Sequence, residues 1–287
     1  MEYKNILVAI NVFEDYQHIF HSAQSVAEKF NAKLTVFMVI TASSGILNNQ
    51  SSYDENLEKQ ANETLDSLTK NARLKQINFV IKIGKAHSLI SKYAKENHYD
   101  LIILGSHGYY GINSLLGSTS NSVLHNAPCD TLIIRITENA PKTASIYNKI
   151  LLATDFEHDD EQLTKQAKIV ANHYGVSLNA LTVIKNITSP ISSSDYSVIP
   201  DVRRDLLKET KIKFSTWLKE QNIASKAMCV IGEPSFEIAN YANKKNIDLT
   251  ILGSHNRSFI GRFFIGSTAN AILHQIKKDV LVIRLKK

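Results

Sequence analysis

The chain of 287 residues has only two cysteines, Cys129 and Cys229, and no CxxC pair. That excludes a disulfide framework and a cysteine zinc site and suits a reducing cytoplasm, with both thiols expected to be buried spectators. No apolar run is long enough to span a bilayer, which argues against a membrane partner. The start, "MEYKNILVAINVFED", lacks the basic opening and small-residue cleavage site of a signal peptide, so a cytoplasmic location is expected. Several nucleotide and metal motifs are also missing. No Walker A lysine follows a glycine loop, no GxGxxG follows the first strand-like run, no SGGxDS loop is present, and no HExxH or other metal-ligand spacing occurs. A basic stripe is absent as well. The formal net charge is +6 and the pI about 9.1, which favours anionic partners in general. Lys and Arg are scattered, however, with only "RLKK" as a run, so nucleic acid is not the expected partner.

What the chain does contain is itself, twice. "NILVAIN" (5–11) pairs with "KILLATD" (149–155), and "IGKAHSLISKYAKENHYDLIILGSH" pairs with "IGEPSFEIANYANKKNIDLTILGSH". "GSTSNSVLH" (117–125) pairs with "GSTANAILH" (266–274), and "TLIIRI" with "VLVIRL". The period of about 145 residues is domain-sized and far too long for a solenoid unit, so this is a tandem duplication. With 44% hydrophobic residues each copy can bury a core. The expected domains are 1–140 and 146–287, joined by the polar stretch "TENAPKTASIYN".

Within the first copy, apolar runs at 5–10, 34–40, 79–83, 101–104 and 131–136 read as strands. Between them, Ile19, Phe20, Ala23, Val26, Ala27 and Phe30 follow a helical period, as do Leu89, Ile90, Tyr93 and Ala94. In the second copy Leu163, Ala167, Val170, Ala171 and Tyr174 repeat the first pattern, and Ala269, Ile272, Leu273 and Ile276 give the last helix its buried face. Short continuous apolar strands alternating with helices predict an α/β fold, a parallel sheet covered on both faces.

Ligands of such sheets bind beyond the carboxyl ends of the strands, where strand order reverses. Three pieces of each copy are expected there: the end of strand one (Asn11 or Asp155), the end of strand two (near Val39 or Val183), and the glycine loop after strand four. A helix opening with Gly266-Ser267-Thr268 offers free N–H groups to anions, and glycine allows close approach. A serine at a helix start can equally cap the helix, so both readings stand for Ser118 and Ser267. His107 and His255 follow Gly-Ser in their loops and read as loop contacts or exposed residues, and His125 and His274 as helix-surface residues. No Ser-His-acid triad is placed by the pattern, and no catalytic residue or metal site is expected.

These residues resemble the universal stress protein family, over nearly the whole chain as two fused copies. The resemblance implies two tandem doubly wound five-stranded parallel-sheet domains, of adenine nucleotide alpha hydrolase-like (Rossmann-like) fold, packed as a pseudo-dimer through their last strands. It also implies an adenine nucleotide held by a G-x2-G-x9-G-S/T loop and an Asp at the end of strand one. In the second copy that pattern falls on Ala153, Thr154, Asp155 and Val183 for the adenine end, and on Leu252, Gly253, Ser254, Asn256, Arg257, Gly266, Ser267 and Thr268 for ribose and phosphates. Asn256 stands where the second glycine belongs, and it is the mildest replacement if φ is positive there. The first copy offers Asn11, Val39, Gly105, Gly108, Gly117, Ser118 and Thr119. It has eight residues between Gly108 and Gly117, where the second copy has nine between Asn256 and Gly266, and Asn11 replaces the Asp. The second copy is therefore expected to be the better site.

The function this implies is a cytoplasmic stress protein that binds ATP or another adenine nucleotide, with or without Mg, and does not turn it over. Alternatives of other classes are a scaffold with both pockets degenerate and a slow ATPase. Homodimerisation of the whole chain is a further expectation.

Overall fold

Apolar runs and 3.6-residue patterns become alternating strands and helices in the computed structural model, which is described at residues 2–11, 16–40, 50–70, 72–74, 76–106, 116–136, 143–156, 161–185, 199–254 and 266–285. Two compact units divide the chain, the first ending its main run at Ile146 and the second beginning at Tyr147.

The first unit runs β1 (Asn5–Ile10), α1 (Tyr16–Phe30), β2 (Lys33–Ile40), α2 (Gln50–Lys70), β3 (Ile77–Ile83), α3 (Ala86–Glu96), β4 (Leu101–Gly105), α4 (Ser118–Asn126), β5 (Asp130–Ile134). Its strands lie in the order β3-β2-β1-β4-β5 and every pairing is parallel. The second unit repeats it: β6 (Ile150–Ala153), α5 (Glu161–Tyr174), β7 (Leu178–Lys185), α6 (Ile199–Glu220), β8 (Ala227–Gly232), α7 (Pro234–Lys244), β9 (Leu249–Ser254), α8 (Ser267–Leu273), β10 (Asp279–Arg284). Its order is β8-β7-β6-β9-β10, again all parallel. This is the doubly wound α/β fold, present twice.

The apolar face expected of α1 is the buried one. Ile19, Phe20, Ala23, Val26, Ala27 and Phe30 are each at most 6% exposed, and β1 and β4 beneath carry fully buried Ile6, Leu7, Val8, Ile102 and Ile103. On α5, Leu163, Ala167, Val170 and Ala171 repeat that face. The repeated Asp in "YDLII" and "IDLTI" has a structural task. Asp100 Oδ2 accepts the backbone N–H groups of Lys4 and Asn5 (both 2.9 Å), and Asp248 Oδ2 those of Asn148 and Lys149 (3.0 and 2.9 Å). One carboxylate thus fastens the strand entering the sheet centre to the neighbouring strand, satisfying two donors at once.

Three local expectations need correction. The last helix, α8, stops at Leu273, so His274 is its C-cap and Ile276 is buried beyond the helix. The two cysteines are half-buried and not sealed in the core. Burial nonetheless raises the Cys229 thiol's pKa, which keeps it a weak nucleophile. Gly117 and Gly266 occupy the N-cap places, so Ser118 and Ser267 are first helical residues and do not cap.

Candidate functional site

Strand order reverses at β6, which has β7 on one side and β9 on the other, and this opens a crevice at their carboxyl ends. Register decides which side chains meet there. Ala153 pairs with Leu181, and Leu152 with Ile251. Counting on from these pairs puts Asp155 level with Val183 on β7 and with Ser254 at the end of β9. Of the residues expected from sequence, the sheet thus aligns Asp155, Val183 and Ser254.

Below Asp155 the site is closed. Ala153 is 6% and Thr154 8% exposed, and the Thr154 N–H extends the ladder to Leu181 O (3.1 Å). Asp155 is exposed at the rim and Val183 half-buried beside it. Across the crevice Leu252 is buried, and the Ser254 hydroxyl donates to Ile283 O (3.1 Å), fixing the end of β9 against β10. Gly266 opens α8 with φ −53° and ψ 148°, and its carbonyl accepts the Asn270 N–H (3.0 Å). Ser267 is exposed and Thr268 half-buried. Asn256 and Arg257 lie outside the described residues, as do His107, His255 and Gly108.

Gly253 and Gly266 differ in kind. A Cβ on Gly253 would lie 2.9 Å from Leu285 Cδ1 and 3.3 Å from Leu163 Cδ2, so packing of helix and strand explains that glycine. A Cβ on Gly266 would meet no heavy atom of the described residues within 4 Å, and its φ is one any residue adopts. Among the described residues, then, neither packing nor φ asks for glycine at 266.

In the first unit Asn11 is exposed and Val39 half-buried, placed as their counterparts are. The loop, however, ties to itself. Gly117 N–H donates to Ser106 O (2.6 Å), Ser106 Oγ accepts the Ile136 N–H (3.1 Å), and Ser120 Oγ donates to Gly105 O (2.6 Å). Gly105 is packed out, since a Cβ there would meet Ile19 and Ile136 at 2.6 and 2.7 Å. Ser118 and Thr119 are exposed on the first turn of α4.

Reasoning from sequence missed Phe156. Its φ is +47°, and it directly follows Asp155. The other described non-glycine residues with positive φ are Asn31, His98, Asn222 and Asn246. Each of those ends a helix, and Asn and His are the types that tolerate the left-handed region. Phe156 is a bulky residue at a strand end. Its N–H is held by Thr154 Oγ1 (3.0 Å), and its ring lies 5.0 Å from Phe214 and 6.1 Å from Trp217 on α6. Phe214 and the sole tryptophan, Trp217, were the aromatic signals in sequence that set α6 apart.

Both copies match the universal stress protein family profile, at residues 2–135 and 146–284. The chain belongs to the universal stress protein family. Universal stress protein A homolog 1 of Coxiella burnetii is 31% identical over 144 residues, all of that protein and 48% of this chain. Universal stress protein A homolog 2 of the same organism is 42% identical over 83 residues, 57% of its length and 29% of this chain. Among solved structures, a universal stress protein from Archaeoglobus fulgidus superposes with a TM-score of 0.72 at 19% identity, covering 99% of both chains, which is a likeness of fold. Among the described residues no helix is long and apolar enough to cross a membrane, and no cluster of three metal-ligating side chains occurs.

Proposed function

We propose that this universal stress protein binds an adenine nucleotide, ATP foremost, at the crevice of its second unit, and acts in the cytoplasm by binding without turnover. The observation that carries this reading is Gly266, a glycine required neither by its φ nor by any described neighbour. It is supported by Asp155, whose carboxylate is exposed just past the end of β6, above the buried Ala153 and Thr154. In this arrangement Asp155 and the backbone at Ala153 and Thr154 hold the adenine end, with Val183 against the ring. Gly266, Ser267 and Thr268 meet ribose and phosphates, joined by Asn256 and Arg257. Mg would ride on the phosphates, not on protein ligands. No base is positioned among these residues to activate water, so hydrolysis is not part of the proposal.

The first unit is proposed to bind weakly or not at all. Its Gly117 N–H, the group a phosphate would use, already donates to Ser106 O, and Asn11 brings no charge. Titration calorimetry of the whole chain with ATP, with native mass spectrometry of freshly purified protein, tests both statements. One nucleotide per chain is expected. No heat and no retained nucleotide would leave the scaffold reading in its place.

A further inference from the structure

The aromatic group beside Asp155 has no counterpart among the described residues of the first unit. Counting back from the buried leucines near the helix ends, Leu218 on α6 and Leu68 on α2, the places of Trp217 and Phe214 fall on Ser67 and Thr64. In the second unit the rings form one group: Phe214 and Trp217 stack at 5.7 Å with 19° between planes, and Phe156 lies against both. Phe214 is fully buried, while Phe156 and Trp217 are half-buried.

A phenylalanine at φ +47° is disfavoured on its own and persists only where its surroundings over-determine it. Two restraints do so here, from opposite directions. Thr154 Oγ1 holds the backbone N–H of Phe156, and α6 holds its ring. Asp155 is the residue between them. With Thr154 fixed into the ladder by its own N–H and Phe156 anchored at backbone and ring, the Cα–Cβ direction of Asp155 is set before any ligand arrives.

We propose that Phe156, Phe214 and Trp217 form a clamp, with Phe156 as a positioning residue that presents the Asp155 carboxylate pre-oriented to the nucleotide. The inference rests on the nucleotide reading above and adds its determinant: the second unit binds better because of the clamp as well as because of the aspartate. Pre-organisation of this kind raises affinity by sparing the ordering of the turn at the moment of binding.

The test is calorimetry with ATP, alongside emission of Trp217, the chain's only tryptophan. Phe156→Gly keeps the turn accessible, since glycine takes φ +47° freely, but removes the ring. It is expected to lower ATP affinity roughly tenfold, about what one immobilised rotamer-rich residue costs, while thermal unfolding stays cooperative. Its Trp217 emission should shift to the red without nucleotide and return toward the wild-type position at saturating ATP. Phe156→Tyr, which keeps the ring against Phe214 and Trp217, should bind within about twofold of wild type. Should Phe156→Gly fail to fold, Phe214→Leu carries the same test, because it leaves 154–156 intact. If wild type binds ATP and the folded variant binds it equally tightly, the clamp is wrong and the site stands. Absence of ATP binding by wild type overturns the nucleotide reading and the clamp with it.

Discussion

The phenol of Tyr147 donates to Asp279 Oδ2 at 2.8 Å, and the first unit repeats the bond at the same length between Tyr3 and Asp130. In both, a tyrosine just before the central strand reaches the aspartate that opens the last one. Asp279 is only 5% exposed and Tyr147 2%, so this carboxylate depends on the phenol for one of its hydrogen bonds. Tyr147→Phe should cost about 1.5–3 kcal/mol, the range for a hydrogen bond to a charged group. Tyr3→Phe should cost less, because Asp130 is half-buried and can turn to water. Urea unfolding of the two variants checks the order, and a larger loss for Tyr3→Phe would contradict it.

Tyr174 packs edge-on against Tyr147, 5.0 Å between centroids, where the first unit has Phe30 against Tyr3. Burial, and then the charge of Asp279, push the Tyr174 pKa above its ordinary value near 10. The folded state therefore holds this proton more tightly than the unfolded chain does. Its contribution is complete below about pH 10 and is lost as pH rises from there through the raised folded value, at up to about 1.4 kcal/mol per pH unit. Tyr174→Phe should remove that alkaline slope and leave stability at neutral pH nearly unchanged. Denaturant midpoints from pH 8 upward measure it, and an unchanged slope in the variant would assign the alkaline loss to other groups.

The glycines make a paired prediction. Gly105→Ala puts a Cβ within 2.7 Å of Ile19 and Ile136 Cδ1 atoms and should cost about 1–3 kcal/mol by overpacking. At Gly266→Val the Cβ meets nothing among the described residues within 4 Å, and the position needs no special φ. Its N-cap loss is offset by lower unfolded-state entropy, so stability should stay within about 0.5 kcal/mol. Its isopropyl group instead fills the ligand's approach, and ATP binding should disappear. A folded Gly266→Val that binds ATP normally removes the main support for the site.

The duplication, both strand sets and the helix faces were legible in the sequence because period and burial are properties of the chain itself. So was the alignment of Asp155 with Val183 and Ser254, since a parallel sheet aligns strand ends. The purpose of each glycine was not legible. Gly253 and Gly266 read alike as letters, yet a Cβ on one would crowd Leu285 and Leu163 and a Cβ on the other meets nothing among the described residues. Phe156 was equally hidden, because a positive φ on a bulky residue is imposed by tertiary partners, here Phe214 and Trp217, and not by local propensity.

The last prediction exchanges the strand-end residues of the two units. Asp155→Asn gives the second unit the residue of the first. It preserves size and an acceptor but removes the charge, and a charged hydrogen bond exceeds a neutral one by about 1 kcal/mol. ATP affinity should fall roughly fivefold to tenfold. Asp155 is exposed, so stability should not follow. The reverse change, Asn11→Asp, restores the charge in the first unit but leaves Gly117 N–H committed to Ser106 O and the loop one residue short. It should create no second site, and calorimetry should still count one nucleotide per chain. Two nucleotides bound by Asn11→Asp would show that charge alone separates the units and that loop length does not matter.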